Sequence, residues 1–168
     1  MIENQAVKTN VTRFLDSKKI SYKVFILPEE KLGAVKTAKI LNIPIGNVYK
    51  TIVAVRQTPG KPVLAVIPGD HQLNLKLLAE YLKEKKMILP TENEAEKLTG
   101  LQAGGISPLA LINKGFQVVL DISARDKEKI HISGGRRGLN LQLNPNDLAV
   151  LTAARFAAIS LLLDREAG

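Results

Sequence analysis

Over residues 3–18 the apolar positions Val7, Val11, Phe14 and Leu15 fall on one face of a helix. Residues 20–27 then alternate, with Tyr22, Val24 and Ile26 on one face, and Pro28 ends the strand. After the polar connection 29–33, residues 35–41 predict a short helix closed by Asn42 and Pro44. The clearest strand is 47–56, whose centre at 51–55 is rich in β-forming residues. Thr58, Pro59 and Gly60 turn the chain into a second strand, 63–67, so the two predict a hairpin ended by Pro68, Gly69 and Asp70. Asn74 is placed to cap a helix reaching about Lys83 and packed through Leu75, Leu78, Ala79 and Leu82. A short strand at 87–89 precedes Thr91, which opens a capping pattern with Glu94, and that helix should stop at Gly100.

The pattern loosens into a loop over 101–115, punctuated by Gly104, Gly105 and Pro108. Residues 117–122 predict a strand with Val118 and Leu120 on one face and Val119 and Asp121 on the other. A charged turn at 125–129 leads to a short strand, 129–133, in which His131 is either structural or exposed to solvent. The glycine loop 134–138 follows, then a final strand through Leu139, Leu141 and Leu143. Asn144 caps a helix whose first turn holds Pro145. The strongly apolar stretch 152–163 reads as helical, either covering the sheet or docking a partner. Seven short strands and about five helices, joined partly by hairpins and partly by helices, predict a mixed α/β (α+β) domain. The 168 residues suit a single domain spanning 1–168.

Composition narrows the chemistry. Hydrophobic residues make up 45% and charged residues 24%, which excludes a wholly disordered chain. There is no Cys, hence no disulfide, no Cys nucleophile and no thiolate metal site. The two histidines, His71 and His131, stand far apart, so neither a His-rich zinc site nor any other metal site is expected. The start of the chain is not a basic segment followed by a long apolar one, and no apolar run is long enough to span a bilayer. The expectation is a cytoplasmic protein without a membrane partner. A formal charge of +8 favours a polyanionic partner, with nucleic acid foremost. Aromatic residues at 4% and no Trp argue against a platform stacking several successive bases.

Three places hold candidate chemistry. Lys50 begins an otherwise apolar strand; its ammonium either reaches a cleft, where it would meet a phosphate, carboxylate or developing oxyanion, or stays in solvent. Thr51 beside it reads as a buried hydroxyl bonded to backbone. The segment Gly104–Gly105–Ile106–Ser107–Pro108 either is a tight connection or exposes backbone N–H groups to a carbonyl oxygen. Ser107 lacks a GxSxG setting and is not read as a nucleophile. The segment Ser133–Gly134–Gly135–Arg136–Arg137–Gly138–Leu139 is neither a Walker loop nor a dinucleotide fingerprint. Its arginines could hold RNA phosphates, or one could tie the loop to a carboxylate such as Asp121. Ser133 could bond a ligand or close a turn. No triad is legible, so a hydrolase built here would rely on positioned water, backbone donors and the substrate's own groups.

These segments, in this order, resemble the YbaK-like prolyl-tRNA editing proteins, or Cys-tRNA(Pro) deacylases, from about Ile20 to Phe156. The likeness rests on Val48–Tyr49–Lys50–Thr51, residues 73–79, residues 94–100, the GGISPL run from Gly104 and the GGRRGL run from Gly134. It implies a strongly bent mixed sheet flanked by helices, and hydrolysis of the ester joining a wrong amino acid, Cys first and Ala next, to tRNA(Pro). It implies no cofactor and no DNA partner, and leaves room for a complex with prolyl-tRNA synthetase. By resemblance Lys50 orients the terminal adenosine and its phosphate, with Thr51 supporting it. Gly105 and the N–H groups around Ile106 hold the aminoacyl carbonyl, between Gly104 and Ser107, and Ser133 lines the aminoacyl or ribose pocket. Arg136 and Arg137 contact RNA. The chain departs from the family pattern at Asn140, where an acidic residue is usual, at Phe25–Glu30, which lacks a His–Asp pair, and at Ala110 and Leu111.

Overall fold

Six successive residues that can tolerate burial on both faces, Val63–Pro68, form the centre of the molecule in a computed structural model that describes residues 2–3 and 7–164. In chain order the strands are β1 (Ile2–Glu3), β2 (Tyr22–Ile26), β3 (Tyr49–Arg56), β4 (Val63–Pro68), β5 (His71–Leu73), β6 (Met87–Ile88), β7 (Gln117–Asp121), β8 (Ile130–Ser133), β9 (Leu139–Leu143), β10 (Arg155–Ala157) and β11 (Ser160–Leu162). The helices are α1 (Asn10–Ser17), α2 (Gly33–Leu41), α3 (Leu75–Leu82), α4 (Glu92–Thr99) and α5 (Pro145–Thr152). The architecture is the expected mixed α/β one. A five-stranded ladder runs β10-β7-β4-β3-β6, parallel at β10–β7 and β7–β4 and antiparallel elsewhere. An antiparallel ladder runs β1-β2-β9-β8, and a parallel bridge from Val48 to His131 links the two.

Alternation along β4 and β7 decides which core each side chain enters. Leu64 and Val66 join Val118 and Leu120 in the larger core, with Leu139, Leu141 and Leu143 of β9. Val63, Ala65 and Ile67 join Val119 in a second core under α3. β4 therefore reads as an unbroken apolar run, and β7 as a shorter one, 118–120, between Gln117 and Asp121. The caps fall where local chemistry put them. The Asn74 and Thr91 side chains accept from the N–H groups of Leu77 and Glu94, and Gly100 ends α4 in the left-handed region. Asn144 accepts from Asn146 N–H ahead of Pro145.

Three expectations are corrected, and one open alternative is decided. The first helix begins at Asn10, capped by Thr9, and Glu3 lies in β1; residues 4–6 of the expected helix lie outside the described residues. The apolar 152–163 stretch is not a helix: Ala153 takes a left-handed conformation (φ 55°) that ends α5, and β10 and β11 follow. Apolar composition drives burial but does not choose between helix and strand, and these strands are chosen by distant partners. β10 pairs with β7, and β11 pairs with β5, itself unforeseen. Of the two readings of His131 the structural one holds, since it is buried (3% exposed) against the Phe25 ring. Asp121 does not meet an arginine; it accepts from Ser123 N–H, Ile159 N–H and the Ser160 hydroxyl.

Candidate active site

The hairpin of β3 and β4 pairs Lys50 with Ile67 and Thr51 with Val66. β4 is covered on both faces, whereas β3 leaves 50–52, and 55–56 at its far end, half-buried. The 50–52 stretch floors a cavity of about 440 Å³. The other walls come from the loop before α2, the turn into α4, the 103–106 loop, and Ser133 and Asn140 of β8 and β9. A cavity of this size falls in the range of small-molecule sites. Its mouth is rimmed by Glu30 and by an exposed ion pair between Lys31 and Glu92.

Lys50 and the 104–106 loop thus face one cavity. Burial lowers the Lys50 pKa, and the carboxylate of Asp70 works against that shift. Among the described residues the Lys50 ammonium has no hydrogen-bond acceptor, so its three donors are available to a ligand. Thr51 lines the cavity, but the backbone hydrogen bond expected for its hydroxyl is not formed among the described residues.

The two glycine segments pack back to back, which explains why glycine stands at 105. A Cβ there would lie 2.8 Å from Arg136 Cα and 3.0 Å from Arg137 N. The same packing sets Gly105 behind the wall, and its N–H already donates to Gln102 O at 2.8 Å. The carbonyl-holding donor expected at Gly105 is therefore engaged elsewhere. Ile106 lines the cavity, and its N–H has no acceptor among the described residues. Gly104 also lines the cavity, with φ 88°. Ser107 does not: it is fully buried and its hydroxyl accepts from Leu109 N–H.

Ser133 lines the cavity and closes the glycine loop by accepting from Gly135 N–H. Arg136 and Arg137 lie outside, lining a neighbouring depression with Glu29 and Gln102. Arg137 Nε donates to Ala103 O at 2.7 Å, bracing the cavity wall, and neither arginine has a carboxylate partner among the described residues. Asn140 lines the cavity at its buried end; its Oδ1 lies 2.8 Å from Nδ1 of His131, a residue sequence reading assigned no part in the site. Alternation in β8 put His131 two residues before Ser133 on the same face, which was the available signal.

Asp70, in the turn between β4 and β5, carries no sequence signal that marks it as a site residue. One of its carboxylate oxygens, Oδ1, is buried without a hydrogen-bond partner, 3.8 Å from His71 Nε2. Its charge acts on two lysines, Lys50 in the cavity and Lys127 beyond it. No group of three or more His, Asp or Glu side chains among the described residues is arranged to hold a metal. No helix among them is long and apolar enough to cross a membrane.

The pocket of this mixed α/β domain gathers a lysine, a loop residue whose N–H has no acceptor among the described residues, and polar side chains. A model of the aminoacyl-tRNA editing domain matches residues 29–151, and the chain belongs to that family. It is 37% identical over 155 residues to the "Putative Cys-tRNA(Pro)/Cys-tRNA(Cys) deacylase EbsC" of Enterococcus faecalis, covering 91% of this chain and 93% of that protein. It is 27% identical over 113 residues to a proline–tRNA ligase of Geobacter metallireducens, covering 67% of this chain but only 19% of the ligase. The fold superposes, with a TM-score of 0.76 and 21% identity, on a crystal structure described as "a putative trans-editing enzyme for prolyl tRNA synthetase", over 93% of this chain and 99% of that one.

Proposed function

We propose that the protein is a trans-acting aminoacyl-tRNA deacylase that hydrolyses the ester of mischarged tRNA(Pro), with Cys-tRNA(Pro) the preferred substrate. The observation that carries the reading is the single cavity shared by Lys50 and the 104–106 loop. The terminal adenosine and its amino acid occupy that cavity. Lys50 orients the adenosine and its phosphate, with Thr51 beside it. The Ile106 N–H, held in place by the Gly104–Gly105 turn, polarises the acyl carbonyl. Ser133 and Asn140 meet the ribose or the amino acid. Water attacks the ester carbon, and the substrate's own thiol or ribose hydroxyl assists. The ester is already reactive, so orientation and a few donors supply the needed acceleration.

Arg136 and Arg137 stand outside the cavity with free guanidinium donors and hold the RNA backbone. Replacing either with Ala is expected to weaken tRNA binding and lower its salt slope by about one phosphate contact; an unchanged slope removes that arginine from the RNA surface. The resemblance to part of a proline–tRNA ligase supports action alongside prolyl-tRNA synthetase in the cytoplasm.

The test is single-turnover deacylation of Cys-, Ala- and Pro-tRNA(Pro), with Cys-tRNA(Cys) as a fourth substrate, by the wild type and Lys50→Ala. The expected result is faster loss of a mischarged substrate than of Pro-tRNA(Pro), abolished by the substitution. Background rates throughout would replace the enzyme with a tRNA-binding or synthetase-binding module, and preference for Ala would reassign the amino acid.

A further inference from the structure

His131 and Asn140 sit in neighbouring strands and are almost fully buried, at 3% and 5% exposure. The imidazole touches polar groups at both nitrogens: Asn140 Oδ1 lies 2.8 Å from Nδ1, and Gln142 Nε2 lies 3.2 Å from Nε2. An amide oxygen has no proton to give and an amide nitrogen has no lone pair to offer. Nδ1 must therefore carry the proton and donate to Asn140, while a bare Nε2 accepts from Gln142. One neutral tautomer satisfies both bonds. Burial of the ring supports that neutral form by lowering the pKa of His131. The other tautomer would require both amides to turn over, and Asn140 would then present its carbonyl oxygen to the cavity. As the relay stands, the Asn140 oxygen is held by the ring. Its amide nitrogen has no acceptor among the described residues, in a side chain that lines the cavity.

Building on the deacylase reading, we propose that His131 is a positioning residue: through the Gln142–His131–Asn140 relay it fixes the Asn140 amide so that the cavity wall offers N–H donors to a substrate oxygen. The arrangement has a consequence for selectivity. Lys50 and Ile106 also line the cavity and also bring N–H donors, so the three together suit unprotonated oxygens such as a carbonyl, a ring ether or a phosphate. The carboxylates that line the cavity are those of Glu30 and of Glu92, the latter already paired with Lys31, and they are where an ammonium group is directed. A carboxylate at position 140 would still accept from His131 but would turn an acceptor to the ligand, reversing the preference.

The direct test is a long-range proton–nitrogen NMR correlation of the full chain labelled at histidine, with His71→Asn used to assign the two rings. A neutral His131 protonated at Nδ1 is the expected result. Protonation at Nε2, or an imidazolium at neutral pH, would overturn the proposal. The spectrum needs no substrate, so a failed deacylation assay leaves it standing, and a contrary tautomer leaves the deacylase reading intact. In the kinetic arm His131→Leu is expected to lower kcat/KM about tenfold, the loss of one oriented hydrogen bond. His131→Asn, whose side-chain N–H falls near the place of Nδ1, should restore most of it. Equal losses in variants of matched thermal midpoint would reduce His131 to a packing residue.

Discussion

Lys50 and Lys127 are two half-buried lysines acting on the same carboxylate, Asp70, and they answer burial differently. Burial lowers the pKa of both, and Asp70 opposes the shift in both. Lys127 resolves its position inside the protein: its ammonium donates to the Gly46 carbonyl and lies 5.1 Å from the centre of the Tyr49 ring. Tyr49 is fixed in turn by a 2.8 Å bond to Ser123, and burial pushes its pKa up to about 12, so it stays a neutral phenol. Lys50, next to Tyr49 in sequence, has no such acceptor among the described residues and faces the cavity. A lysine held by a carbonyl and a ring is a structural cation. A half-buried lysine with its donors unfilled is preorganised for a ligand, because part of its desolvation has been met before the ligand arrives.

That contrast can be broken or sharpened by substitution. Lys50→Ala is expected to lower the deacylation rate about a hundredfold or more, the usual cost of removing one polarising group, while leaving the thermal midpoint unchanged or raised. A lower midpoint with normal activity would make Lys50 structural. Gly105→Ala comes next. The new Cβ meets backbone atoms of Arg136 and Arg137, so one of the two loops must shift. The expected cost is about 1–3 kcal/mol in denaturant unfolding, with reduced activity as Ile106 is displaced. Lys127→Met should behave in the opposite sense to Lys50→Ala: about 1–2 kcal/mol less stable through loss of the carbonyl and ring contacts, with deacylation within a few-fold of wild type.

The smallest effect concerns pH. Asp70 raises the Lys50 pKa against burial, so Asp70→Asn leaves burial to act alone. Lys50 then loses its proton at a lower pH than in the wild type. The alkaline fall of kcat/KM, corrected for spontaneous ester hydrolysis, is expected to move to lower pH in the variant. An alkaline limb that stays in place would show that Lys50 is not the group titrating there.

The parts of the fold legible in the sequence were those fixed by neighbours in the chain. Asn74, Thr91, Gly100 and the Asn144–Pro145 pair act on backbone groups within a few residues, and alternation in 117–121 sorted Val118 and Leu120 from Val119 correctly. The failures came where distant partners decide. Residues 153–163 carry an apolar run compatible with a helix, but pairing of Arg155 with Val119 and of Ser160 with Leu73 makes them strands. The buried carboxylate of Asp121 anchors that return through Ile159 and Ser160, a contact across 38 and 39 residues that no local pattern reveals. In the site, Lys50, Ser133 and the glycine segments stood out by residue type. Gly105 could be singled out but not its engaged N–H, and the pairing of His131 with Asn140 required the register of β8 and β9.

The most direct measurement is an NMR titration that follows the ammonium groups of Lys50 and Lys127 as a hydrolysis-resistant amide analogue of cysteinyl-adenosine is added. The expected result is a saturable shift at Lys50 with Lys127 left in place; a shift at Lys127 alone, or at neither, would contradict the placement of the substrate in this cavity.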